Sequence, residues 1–266
     1  MTSERNVSTE FAARAVRAGS VPGTTIKGLA VPTTGFVGST AAFVPVVDPH
    51  HRVLDPAAIR RELPAVPTRV RWYLRVTTFD RNSPKELATT RLNAAGLRAA
   101  ERALLAQSPG GSSHLGPALR TVEGTGFAGR RLLIVLSDLE LFDPDVDQVL
   151  DELHTSSADA VLALIFRSPP PAAIAGTRVQ IMRVDPETST PADIARRVVE
   201  GACAIADEPA KPTGKVDVLI DVLDDESGSM RSGNDAFFLR HEAALIAVEH
   251  LAARRPVHAP HGRRSS

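Results

Sequence analysis

The 266-residue chain has one cysteine, Cys203, and one each of tryptophan and tyrosine. A lone cysteine excludes an internal disulfide and a thiolate metal cage. Aromatics are only 4% of the chain, so its core has to be built from Val, Leu, Ile and Ala. Net charge is missing as well: 31 Lys and Arg balance 31 Asp and Glu, with a pI near 7.1. That balance removes the electrostatic argument for a nucleic-acid or anionic-membrane partner, which would need a clustered basic surface. The longest apolar run, Ala41 to Val47, is far shorter than the roughly 20 residues a membrane span needs. Met1 to Ala15 mixes Glu, Arg, Ser and Thr without an apolar h-region, so no secretory signal is read there. What is present is 43% apolar residues, enough for a sizeable core and too many for wholesale disorder. The expectation is a globular cytoplasmic protein with neither nucleic acid nor membrane as partner.

Residues 1–40 read as a flexible arm, rich in Gly, Ser, Thr and Pro and without apolar period. Thr25 to Val31 and Ala41 to Val47 are short β-like runs, the second held to a sheet edge by Pro45. Residues 41–65 are expected to pack on the main body as an extension, with a turn at Asp48-Pro49-His50-His51 and a short helix from Pro56 to Leu63. From residue 66 strands and helices alternate. Strands are predicted over Arg69–Phe79, Leu132–Leu136, Ala160–Phe166, Arg178–Val184 and Val216–Leu223. Helices are predicted over Ala94–Ala106, from Asp143-Pro144 as cap and first residue, from Thr190, and over Asp235–Ala253. Glu208 to Lys215 reads as a linker and residues 254–266 as a disordered tail. This pattern predicts an α/β fold, a Rossmann-like open and mostly parallel sheet with helices on both faces. Ligands in such sheets sit beyond the carboxyl ends of the strands.

Three loops at or between those ends carry oxygen donors. They are Asp224-Asp225-Glu226-Ser227-Gly228-Ser229-Met230, Ser137-Asp138-Leu139-Glu140, and Gly110-Gly111-Ser112-Ser113-His114. Carboxylates and hydroxyls without thiolate or paired imidazole suit a hard cation, Mg²⁺ first and Mn²⁺ or Ca²⁺ after it. Asp and Ser are also ordinary turn and cap residues, so each loop says less alone than the three do together.

The run from Val216 to Met230 resembles the opening of a von Willebrand factor type A (vWA) domain, where an apolar strand enters Asp-x-Ser-Gly-Ser-Met and then a long helix. Gly110 to Leu119 resembles that family's second motif, with Ser113 in the place of its threonine and Ser112 as the alternative. Leu132 to Glu140 resembles the third, with Asp138 matching its aspartate and Leu139 in place of the usual glycine. The resemblance covers roughly Val66 to Ala253 and runs in permuted order, the family's first strand and helix coming last. It implies a metal-ion-dependent adhesion site of Asp225, Ser227, Ser229, Ser113 and Asp138. It further implies a protein partner whose Asp or Glu completes the coordination of Mg²⁺, Mn²⁺ or Ca²⁺. Closure within one chain makes the protein a monomer; two partial domains completing each other across molecules would make a swapped dimer.

A hydrolase using the same ion to activate water is the alternative, with only His114, Glu140 or Glu226 to serve as base. Serine-hydrolase and phosphate-loop patterns fail: Gly111-Ser112-Ser113-His114-Leu115 lacks the closing glycine, and Gly214-Lys215 lacks the preceding spaced one. The reading is a binding module without a convincing catalytic constellation.

Overall fold

The computed structural model describes residues 46–47, 53–54, 56–81, 84–93, 111–207, 215–230 and 239–253, with isolated positions between 95 and 99. The chain divides into two compact units, Met1–Pro56 and Ala57–Ser266. In the first, β1 (Val46–Val47) pairs antiparallel with β2 (Val53–Leu54). The expected arm, the run Thr25–Val31, most of the helix Ala94–Ala106, the linker at 208–214 and the tail lie outside the described residues.

Helix α1 (Pro56–Glu62) begins at the boundary between the units. The larger unit continues with β3 (Val70–Phe79), β4 (Lys85–Arg91), α2 (Leu115–Gly124), β5 (Arg130–Ser137) and α3 (Val146–His154). It ends with β6 (Ala160–Phe166), β7 (Val179–Val184), α4 (Pro191–Asp207), β8 (Val216–Asp225) and α5 (Leu239–Ala252). Six strands form one sheet in the order β4-β3-β8-β5-β6-β7. All neighbours run parallel except β4, which is antiparallel to β3 at the edge. The fold is therefore α/β on a mostly parallel mixed sheet. The last strand of the chain occupies its middle: Val70 pairs with Val216 on one side and Arg130 with Val218 on the other, within one molecule. Counting β8 as the first strand gives the order 3-2-1-4-5-6, that of a doubly wound sheet.

Continuous aliphatic runs make the central strands, because both faces are covered. On one face α2 and α3 pack on alternate residues, Leu133, Val135, Val161, Ala163, Ile165 and Leu223. On the other, α4 lies against β5, β6 and β8 and beside α5. Gly201 of α4 has only the Leu132 side chain near its missing Cβ, at 3.7 Å. A capping box starts α4: the Asp193 amide donates to Thr190 Oγ1 at 3.2 Å and the Thr190 amide to Asp193 Oδ2 at 3.1 Å. Cys203 is a small buried residue of that helix, and burial together with nearby Asp207 pushes its thiol up to about 11.

Two local details differ from the sequence reading. Strand β4 was not expected, because Lys85-Glu86-Leu87-Ala88-Thr89-Thr90-Arg91 has neither alternation nor an aliphatic run. As an edge strand it pairs on one side only, and its exposed Lys85 and Glu86 suit that position. The cap of α3 is Asp145, whose Oδ1 accepts the Gln148 amide at 3.0 Å, and not Asp143. Asp143 instead reaches back to the start of α2, accepting from the Leu115 amide at 2.8 Å and the Gly116 amide at 3.0 Å. The residue at the N-cap of α2, His114, makes no side-chain cap, so the long-range carboxylate supplies one. Gly116 leaves room for it; a Cβ there would stand 2.9 Å from Asp143 Oδ1. Asp143→Ala is expected to lower stability by about 1–2 kcal/mol in urea unfolding. An unchanged midpoint would show that the cap contributes nothing.

Candidate metal site at the carboxyl ends of the central strands

Register brings the first and third motifs of the site together. Leu136 pairs with Asp224, which sets Ser137 level with Asp225 on the face that packs on α2. The buried Asp225 Oδ2 accepts hydrogen bonds from Ser137 Oγ at 2.6 Å and Ser113 Oγ at 2.8 Å. Its other oxygen accepts the Ser227 amide at 2.9 Å. Beyond it, the hydroxyls of Ser227 and Ser229 lie 3.1 Å apart.

Backbone bonds fix this turn from two sides. The Glu226 amide donates to Phe79 O at the end of β3, and the Gly228 amide to Gly111 O, both at 2.9 Å. Gly111 has φ +68°, and a Cβ there would meet Arg81 Cδ at 2.6 Å. The glycine before the serine pair therefore has a steric cause.

Asp138 follows Ser137 and is buried, its Oδ1 accepting the Glu140 amide at 3.0 Å. Leu139 then turns with φ +55°, the left-handed conformation that a glycine adopts without strain. The strain is on the order of 1–2 kcal/mol, offset by burial of the leucine side chain in the core. Leu141 forms a parallel bridge with Ser113, and the Phe142 amide donates to Ser113 O at 2.8 Å.

Of the five residues expected as ligands, Ser113, Asp225, Ser227 and Ser229 are joined by these bonds, and Asp138 stands at the adjacent strand end. Ser112 takes a different course, with its Oγ 3.4 Å from His114 Nε2. Burial pushes the Asp225 carboxyl above the usual carboxylate range, opposed by hydrogen bonds from Ser137, Ser227 and Ser113.

No protein-family model, no curated protein and no solved structure matches this chain. Among the described residues, no three His, Cys, Asp or Glu side chains gather as a metal cluster. The group that does gather is mainly hydroxyl, with Asp225 at its centre. All its donors are oxygen, which fits a hard cation and excludes a soft one. Ser113 and Ser137 spend their protons on Asp225, leaving oxygen lone pairs to face other ligands.

Two further residues of the site carry no signal in the local sequence. Ser137 ends an aliphatic strand, and its level with Asp225 follows only from strand register. Arg240 of α5 is 1% exposed, with Nε 2.9 Å from Asp224 Oδ1 and Nη2 3.3 Å from Glu226 Oε1. It thus pairs with both acids that flank Asp225. Glu140, by contrast, is exposed and accepts from Ser168 Oγ at 3.1 Å.

Proposed function

We propose that this chain carries a circularly permuted vWA-type domain that binds a divalent cation and, through it, an acidic side chain of a protein partner. The observation that carries the reading is the Asp225 carboxylate held by hydroxyls from two other segments, Ser113 and Ser137, beside the paired hydroxyls of Ser227 and Ser229. The position supports it as well. Asp225 and Ser137 end the two strands where the doubly wound order reverses, the place where open α/β sheets take ligands.

Ser227, Ser229 and Ser113 would hold the ion, with Asp225 and Asp138 as its nearest negative charges; Mg²⁺ is the first choice and Mn²⁺ or Ca²⁺ the next. When bound, the ion supplies a positive centre of which only part is neutralised by the protein. The chain's own residues orient the donors: Asp225 fixes both serine hydroxyls, and the bonds to Phe79 and Gly111 hold the turn. A ligand set dominated by neutral hydroxyls leaves charge for an incoming carboxylate to neutralise. In this reading the protein is a monomeric adaptor whose partner and ion bind together.

Calorimetry with Mg²⁺ and Mn²⁺ tests it. Wild type is expected to bind with a dissociation constant of about micromolar to millimolar, and Asp225→Ala/Ser227→Ala to show no heat beyond dilution. Ser229→Ala, at a half-buried position, keeps the fold intact and should weaken binding by about tenfold. Equal heats from wild type and both variants would end the proposal.

A further inference from the structure

We infer that Phe142 is a second anchor of the same binding surface, so that the partner segment carries a large apolar residue close to its acidic one. This rests on the metal-dependent reading above and specifies its ligand. Phe142 is 65% exposed and is the one large hydrophobic residue so exposed among those described. Its neighbours explain why it cannot turn inward. Leu141 packs against the core, and the Asp143 carboxylate is tied to the Leu115 and Gly116 amides at 2.8 and 3.0 Å. Between them the Phe142 amide is bonded to Ser113 O at 2.8 Å. Three consecutive residues are thus pinned, and the middle one presents its ring to solvent. A rigid backbone with an exposed aromatic loses little conformational freedom on binding, which is what an interface anchor requires.

Backbone bonding ties this residue to the candidate ion site. Ser113 accepts the Phe142 amide through its carbonyl and donates to Asp225 Oδ2, 2.8 Å away, through its hydroxyl. One hydrogen bond and one serine therefore separate the Phe142 backbone from the donor set, a path on the order of 10 Å, or about three residues of extended chain. The occupant that fits is an extended protein segment with Asp or Glu on the ion and a Leu, Ile, Met or aromatic residue one to three positions away. A lone carboxylate metabolite would fill only half of this surface.

A random peptide library displayed on phage, selected on the full chain in saturating Mg²⁺, tests the pairing. Sequences with an acid and a large apolar residue within three positions are expected to enrich on wild type. A synthetic peptide of the enriched sequence should bind Phe142→Ser about tenfold more weakly while retaining its Mg²⁺ dependence. Its variant with the apolar residue changed to serine should bind wild type and Phe142→Ser alike. Enrichment of acids without an apolar neighbour, equal affinity of the peptide for both proteins, or no enrichment at all would overturn the anchor. Loss of the Mg²⁺ dependence alone, with the Phe142 effect intact, would instead sink the metal reading and leave the surface standing. Since Phe142 is exposed, its replacement is expected to leave the melting temperature unchanged, which a thermal melt of both proteins checks.

Discussion

Asp221→Ala is expected to cost the fold about 3–5 kcal/mol, enough to consume much of the roughly 5–15 kcal/mol by which a domain is stable. Asp221 is fully buried in the middle of β8 and holds two arginines. Arg75 of β3 approaches it through Nε at 2.5 Å and Nη2 at 2.9 Å, and Arg131 of β5 through Nε at 3.1 Å. Both guanidinium groups also donate to the Val122 carbonyl of α2, each at 3.1 Å, and Arg75 reaches Thr125 Oγ1 beyond it. Arg131 adds a bond to Ser157 Oγ at 2.8 Å. Removing the carboxylate leaves two buried guanidinium groups repelling each other under the last turn of a helix, offset only by the Val122 carbonyl, neighbouring hydroxyls and, for Arg131, the Glu123 carboxylate 3.5 Å away. Replacing all three together, Asp221→Leu with Arg75→Met and Arg131→Met, should recover most of the loss, since a packed apolar triad no longer desolvates charge. Urea unfolding followed by circular dichroism reads both variants. A single-variant loss below about 1 kcal/mol would show that the network is solvated and contributes little.

The second large effect is at the site. Arg240→Met should destabilise by a similar amount, about 3–5 kcal/mol, and also weaken divalent-ion binding. The Arg240 guanidinium pairs with Asp224 and Glu226 at 2.9 and 3.3 Å, on either side of Asp225 in sequence. Without it, two buried carboxylates crowd the turn that presents Asp225 and Ser227. Arg240→Lys should restore only part of either property, because a compact ammonium does not span two carboxylates as a planar guanidinium does. Unfolding and calorimetry on the same preparations separate the outcomes. Full stability and full ion affinity in Arg240→Met would remove any role for this pair.

Much of the sheet was legible because burial on both faces writes itself as aliphatic runs. Ala160–Phe166 was delimited at both ends, and Arg69–Phe79 to within one residue at its start. Edge strand β4 was not legible, since a strand that buries little has little reason to be apolar. The candidate site divides in the same way. Asp225, Ser227 and Ser229 lie within five residues of one another and show as a motif, whereas Ser113 was found only through resemblance and register. Ser137 and Arg240 join the site from 88 and 14–16 residues away, through a strand pairing and a helix return that local sequence does not encode. Asp143 shows the same limit: its position before Pro144 suits a local cap, but two unpaired amides 27 and 28 residues earlier claim its carboxylate.

The central position of β8 also governs when the protein can come into being during translation. Until Val216 leaves the ribosome, β3 with β4 and β5 with β6 and β7 are separate half-sheets, each with an open parallel edge facing the place the missing strand will fill. The pairing that joins them spans 146 residues, so its loop-closure entropy must be met before any of its contacts form. The carboxylate that neutralises Arg75 and Arg131 arrives on that same strand, as does the turn bearing Asp225. Before that strand emerges, the chain holds two open parallel edges and two arginines without the Asp221 carboxylate. Charge pairing at Asp221 and closure of the sheet are acquired together, in one step.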